Sequence, residues 1–373
     1  MKTSKCLSTI SIFLIVWSIE GCMPSKGNMI NGKIIFQSNR NGSSGLFVMN
    51  ADGSDLRELT SSPGNAYSPD TNNGLIPSPD GKQIAFFFDN DGVGGIRVIN
   101  IKSGYLSDLA KDKGNVDSFA WSPNGKQIAF VAERDTILLD ANRDLWTSNI
   151  YVMNADGTQV RRLTVDNATS QYGTLSWSPD GKKLAFGMSS KVPSGGFFSV
   201  GIHLISISDA KLTALTRASG LVQDGPTWSP DGKHIMYFVT GSMLGNIYVM
   251  NADGSNQVAL SNDSLGIVLN ASWSPNGNHI VFSTVKFQVQ DDNRNYYIYT
   301  VNADGTNLVA VSKDPSPYDT SPSWSPDGKY IIFASKRGGG KSHLYTMNAD
   351  GTNQRQLTNG PGEEAAPIWL PAQ

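Results

Sequence analysis

Leu184 and Phe186 alternate with Lys183 and Ala185, the period-two pattern of a strand that buries one face. Just before them runs Trp177-Ser178-Pro179-Asp180-Gly181-Lys182, which reads as strand, tight turn, strand. Pro179 presets φ for the second position of a type I turn. Asp180 tolerates the third, and Gly181 takes the positive φ that returns the chain to a strand. The unit recurs at residues 78–86, 121–130, 228–238, 273–282 and 324–333. A repeat at this period decides the fold before any other reading.

Each unit offers four candidate strands: a (containing the Trp), b (after the Gly-Lys), c and d. The c strand is clearest at Asn149-Ile150-Tyr151-Val152-Met153, followed by the turn Asn154-Ala155-Asp156-Gly157. That turn recurs at residues 50–53, 251–254, 302–305 and 348–351, with degenerate copies at 100–104 and 206–210, making seven. The chain opens on a b strand, Lys33-Ile34-Ile35-Phe36, and closes on an a strand, Pro367-Ile368-Trp369-Leu370-Pro371. Joined, the two complete one blade and leave no free sheet edge at the join. The expected fold is all-β, a β-propeller of seven four-stranded blades, with six as the alternative.

The Trp-Ser-Pro-Asp-Gly-Lys turn with its following apolar strand resembles the TolB-like β-propeller repeat, over residues 32–370. The first unit departs from it, with Pro77 where Trp is expected and a partial match at Tyr67-Ser68-Pro69-Asp70. The resemblance implies an interaction scaffold. TolB itself is usually a six-bladed ring behind an α/β domain, so the seven units and short tether counted here depart from its pattern.

Targeting changes the picture at the N-terminus. Lys2 and Lys5 precede an apolar run over residues 10–19 that is too short to span a bilayer. Ile19-Glu20-Gly21-Cys22 resembles a bacterial lipobox, with Glu20 where a small residue is usual. Residues 1–21 are therefore read as a lipoprotein-type signal peptide, 22–31 as lipidated Cys22 and a tether, and 32–373 as the propeller. The alternative is an ordinary secretory signal. With Cys6 removed, Cys22 is the one cysteine left, so no disulfide forms within one chain. The expected location is the bacterial cell envelope, lipid-anchored on the outer-membrane or periplasmic side. A formal net charge of −2 argues against nucleic acid, which calls for a basic face.

In a four-stranded blade the a–b and c–d turns share one face of the ring and the b–c and d–a loops the other. The first set is short and constant from unit to unit; the second varies, which places function there. The b–c connections over 133–148, 189–200 and 286–295 are enlarged. The first holds Trp146, read either as a partner anchor or as packing under its own loop. The third runs into Tyr296 and Tyr297, and the stretch over 291–297 is a contact rim or a solvated hairpin. Asp117, Asp224, Asp319 and Glu364 each stand four or five residues before a repeat Trp. They form either a collar for a cation or basic peptide, or caps on the backbone N–H groups of their loops. Asp140, Asn142 and Asp144 repeat the spacing of a calcium loop, but Leu145 and Tyr151 stand where its Gly and Glu belong, so no metal is expected.

No Gly-x-Ser-x-Gly elbow, His-Glu-x-x-His or phosphate loop is present, and His203, His234, His279 and His343 are scattered. The repeat Trp residues read as wedges between blades. The expected function is thus a non-enzymatic envelope lipoprotein, without cofactor, that binds a protein or peptide through its b–c/d–a face. The alternatives are a carbohydrate-binding propeller, with Trp146, Tyr172, Tyr296, Tyr297 and Tyr318 as stacking faces, or a propeller enzyme such as a glycan lyase.

Overall fold

The structure is a computed structural model that describes residues 32–61, 74–90, 93–110, 116–132, 137–138, 144–145, 148–164, 170–191, 197–241, 245–287, 294–312, 318–337 and 340–371. Residues 1–31, on which the expected leader, Cys22 and tether fall, lie outside the described residues, as do Trp146, Asp140, Asn142 and the side chain of Asp144.

Seven four-stranded antiparallel sheets follow one another in the order a-b-c-d. Blade I joins the ends of the chain: its a strand is Glu364–Trp369 and its b strand Lys33–Ser38, paired through Ile34 with Trp369 and Ile35 with Ile368. The a strands of blades II to VII are Leu75–Pro77, Val116–Trp121, Ser170–Trp177, Val222–Trp228, Ile267–Trp273 and Thr320–Trp324. The a strands of blades III and IV, IV and V, VI and VII, and VII and I pack on one another, so they form the inner wall of the ring. Seven is the number the turn repeats give. Strand pairing runs into both ends of two of the connections read as enlarged loops, where Ser189 pairs with Ser199 and Phe287 with Arg294.

The a–b turn shows why its sequence repeats. Gly181 adopts φ 70° and its N–H donates to the Ser178 carbonyl at 2.8 Å. The Ser178 hydroxyl donates to Asp180 Oδ1 at 2.6 Å and accepts the Lys183 N–H at 2.9 Å, closing the turn from inside. The c–d turn is closed by other bonds: Asp156 Oδ1 accepts both the backbone N–H and the hydroxyl of Thr158. In blades II and IV this turn is one residue longer. The N–H of Gly104 there reaches back to Asn100 and that of Ala210 to Ser206, so these degenerate copies belong to a different turn class.

The Trp wedges are visible in the packing. Trp177 sits in one buried cluster with Val131, Ile150 and Leu163 of blade III and Leu184 and Phe186 of its own blade. Its indole N–H donates to the Ala120 carbonyl of the preceding a strand at 3.0 Å. Trp121, Trp273 and Trp324 repeat this bond to Ile76, Thr227 and Ser272.

The turn carboxylates couple the fold to pH. Hydroxyls of Ser78, Ser178 and Ser229, and of Ser54, Thr158, Ser255 and Thr306, hold Asp80, Asp180, Asp231, Asp52, Asp156, Asp253 and Asp304 below the usual aspartate range. A depressed folded-state pKa contributes stability that is present above the unfolded value and lost as pH falls through the folded one. Thermal unfolding followed by circular dichroism is therefore expected to hold its midpoint down to about pH 5 and to lose it steeply below about pH 4. A midpoint that rises on acidification from about pH 5 to 3 would contradict this.

Candidate functional site

The inner strands are irregular at one height, and that irregularity positions the carboxylates. Register shifts fall between Val116 and Ser118, Asp224 and Thr227, and Thr320 and Ser323 in three a strands, and beside Ala365 in blade I. Pro226, Pro322 and Pro367 stand at these bulges, two residues before the Trp, and a proline inside a strand marks such a break. Gly225, Ser321 and Ala366 beside them take positive φ of 64°, 55° and 48°.

The four carboxylates are not equivalent. Asp117 is the bulged residue of blade III. It is reached by solvent, yet enough protein surrounds it for burial to raise its carboxyl pKa. Asp224 is set into the neighbouring blade and accepts the N–H of Thr174 at 3.2 Å. A β-carbon on Gly173 or Gly187 would lie 2.3 Å from its Oδ1, so blade IV admits this carboxylate only because both positions are glycine. Burial pushes its pKa up, and backbone N–H groups of Gly225, Thr174 and Gly187 oppose the shift.

Asp319 and Glu364 are fully buried, at 0 % exposure, and each meets an arginine. Arg337 Nη2 donates to Asp319 Oδ2 at 2.6 Å, while Asp319 Oδ1 has no hydrogen-bond partner. Arg40 donates to Glu364 Oε1, the Thr358 hydroxyl donates to Oε2, and His343 Nδ1 stands 3.5 Å from that oxygen. Both guanidinium groups lie over aromatic rings: Arg40 over Phe36 and Phe47, Arg337 over Phe333 and Tyr345. These arginines were missed in the sequence, although Phe36-Gln37-Ser38-Asn39-Arg40 and Phe333-Ala334-Ser335-Lys336-Arg337 share a Phe-x-Ser-x-Arg pattern that marks them.

Aromatic residues continue across the b–c/d–a face. The Tyr296 ring lies 5.2 Å from that of Tyr318 in the next loop. Lys336 Nζ stands 5.0 Å over Tyr318 and 3.7 Å from Glu363 Oε2, carrying the chain of contacts from blade VI through VII to blade I. Tyr297 is half-buried and turns toward Tyr299 at 6.2 Å. Leu221, Val222 and Phe287 are exposed on blades V and VI, with Arg294 stacked over Phe287. Tyr172 corrects the stacking-face expectation. It is buried edge-on against Phe186, because it faces the core side of its strand. Among the described residues, no group of three or more His, Cys, Asp or Glu is placed to hold a metal.

This geometry defines a seven-bladed propeller whose a–b turns repeat one set of bonds and whose loop face differs blade by blade. Residues 72–275 and 261–373 match the family described as PD40, TolB beta propeller domain; the chain belongs to this TolB β-propeller family. It is 31% identical over 192 residues to the Tol-Pal system protein TolB of Francisella tularensis subsp. mediasiatica, covering 50% of this chain and 40% of that protein. It is 27% identical over 164 residues to a TolB homolog of Chlorobium luteolum, covering 44% and 33%. The chain thus spans well under half the length of these relatives. Among solved structures, the ring resembles TolB from Acinetobacter baumannii (TM-score 0.50, 18% identity, 88% of this chain and 79% of that one). It also resembles an oligogalacturonate lyase from Vibrio parahaemolyticus (TM-score 0.59, 16% identity, 88% and 86%). A puromycin-hydrolyzing peptidase from Mycobacterium tuberculosis is similar as well (TM-score 0.61, 14% identity, 89% and 54%). At these identities the likeness is one of fold.

Proposed function

We propose that this chain is a non-enzymatic, envelope-located binding propeller that docks a protein or peptide on its b–c/d–a face, held to a membrane by a lipid on Cys22 after removal of residues 1–21. The observation that carries the docking surface is the contrast between faces. The turn face is closed by the same internal hydrogen bonds in blade after blade. The opposite face presents Tyr296, Tyr318, Lys336 and Glu363 as a continuous, partly exposed arc. Partly exposed tyrosines such as Tyr296 and Tyr318 are of the residue type enriched at protein-recognition surfaces. The Tol-Pal relative supports a protein partner in the envelope; the lyase and peptidase likenesses support only the scaffold. In this reading Asp117, Tyr296 and Tyr297 contact the partner. Asp224, Asp319 and Glu364 hold the loops that carry the contacts.

The test is affinity capture from a detergent-solubilised envelope, with the captured protein identified by mass and then titrated as a purified component. The triple variant Tyr296→Ala, Tyr318→Ala, Lys336→Ala is expected to weaken that binding at least tenfold while unfolding at the wild-type midpoint. Unchanged affinity would remove the arc as the docking surface.

A further inference from the structure

A second site lies between blades II and III, at the c–d turns. It comes from a comparison among the blades of this one molecule. Opposite Val98 in the register of blade II stands Ser107. In the same register, opposite Val48, Val152 and Thr346, stand Arg57, Arg161 and Arg355, while blades IV, V and VI carry Thr213, Val258 and Val309. Arg57 and Arg161 bridge to the next blade, whereas Arg355 Nε donates to Thr346 of its own blade. Arg57 Nη2 donates to the Ile101 carbonyl of blade II at 2.6 Å, and Arg161 Nη2 to the Ile207 carbonyl of blade IV at 2.9 Å. In blade I, Asp52 is held down by the Ser54 hydroxyl and N–H and, more weakly, by the charge of Arg355.

Ile101 and Ile207 are the second residues of their turns, and Ala155 is the equivalent residue in blade III. Their N–H groups bond alike, to the carbonyls of Lys82, Lys182 and Lys126. The three junctions therefore share one acceptor position. At the junction of blades II and III the bridging side chain is only a serine hydroxymethyl. What remains there is a cleft of ≈ 530 Å³ with Val98, Leu109 and Ala155 as its apolar floor and Gln83, Asn100 and Asp156 on its walls. Tyr105, 71% exposed, also lines it. Asp156 turns Oδ1 to Thr158, and it enters no ion pair among the described residues.

We propose that this cleft binds the guanidinium group of an arginine side chain from a partner, seated between the Ala155 carbonyl and the Asp156 carboxylate with the Tyr105 ring as its platform. The arrangement reproduces in trans what Arg57 and Arg161 do in cis. It adds a carboxylate where the turns of blades II and IV carry Lys102 and Ser208. Guanidinium suits it because the group is planar, gives several N–H donors in a fixed fork, and stacks on aromatic faces. The site is separate from the b–c/d–a arc and stands whether or not that arc binds protein.

The test is a titration of the full propeller with N-acetyl-arginine amide and with N-acetyl-citrulline amide, its uncharged near-isostere, read by amide NMR shifts. Saturable shifts at Ser103, Tyr105, Ser107 and Asp156 are expected with the arginine probe, at least tenfold weaker with citrulline. Ser107→Arg is expected to fill the cleft from within, abolish those shifts and raise the unfolding midpoint. Asp156→Asn is expected to weaken binding about tenfold with the ring still folded. A five-residue peptide with a central arginine that binds more tightly than the amide assigns the source to a polypeptide; equal binding assigns recognition to the guanidinium alone. Equal shifts from the citrulline probe, or arginine binding that survives Ser107→Arg, would overturn the proposal.

Discussion

Glu364→Ala is expected to destabilise the ring by about 3–5 kcal/mol, because it leaves a largely buried arginine without its counter-ion. The Arg40 side chain is only 12% exposed, and Glu364 not at all. Glu364 begins the a strand of blade I, and that strand alone pairs the end of the chain with its first strand. It also binds Thr358, at the end of blade VII, so one carboxylate secures blade I to its neighbour. Loss should therefore appear both as a lower denaturant midpoint and as faster hydrogen exchange over Lys33–Ser38. Glu364→Gln keeps one acceptor oxygen, enough for Arg40 or for Thr358 but not for both, and should cost about 1–3 kcal/mol. Asp319→Ala should cost less than Glu364→Ala, since Arg337 is 27% exposed and can turn to water. A Glu364→Ala cost under about 1 kcal/mol would show that the seam does not depend on this pair.

The second large effect is at the wedges. Trp177→Ala is expected to cost about 3–5 kcal/mol, the range for removing a large buried aromatic. The more discriminating pair is Trp177→Phe against Trp228→Phe. Trp177 donates to Ala120, whereas the Trp228 indole N–H is buried without a partner. Both replacements remove similar volume. Their difference isolates the inter-blade hydrogen bond, at about 1 kcal/mol, with Trp177→Phe the more costly. Equal costs in urea unfolding would mean that the wedges act by packing alone.

The blades were legible because their signals are local. Trp-Ser-Pro-Asp-Gly-Lys encodes a turn whose bonds all form within six residues, so Ser178, Asp180 and Gly181 announce it without help from the rest of the chain. The closing of blade I from both termini was legible for the same reason, as each end carries an incomplete unit. What the residues beside the Trp do was harder to read. Asp224 depends on glycines at positions 173 and 187, some forty to fifty residues away and innocuous in sequence. Glu364 depends on Arg40, 324 residues away. Tyr172 was read as a stacking face, but the strand parity that buries it is set by pairing with Met188. The cleft beside Ser107 has no motif at all. It is visible only once the strand registers show that arginines occupy the same place in blades I, III and VII.

The central claim is that the loop face of the ring is its docking surface. The most direct measurement is site-specific photocrosslinking in intact cells from two positions, Tyr318 on that face and Asp253 on a c–d turn of blade V, away from the cleft beside Ser107. The account predicts a discrete cross-linked protein from position 318 and none from position 253. The same product from both positions, or from 253 alone, would contradict it.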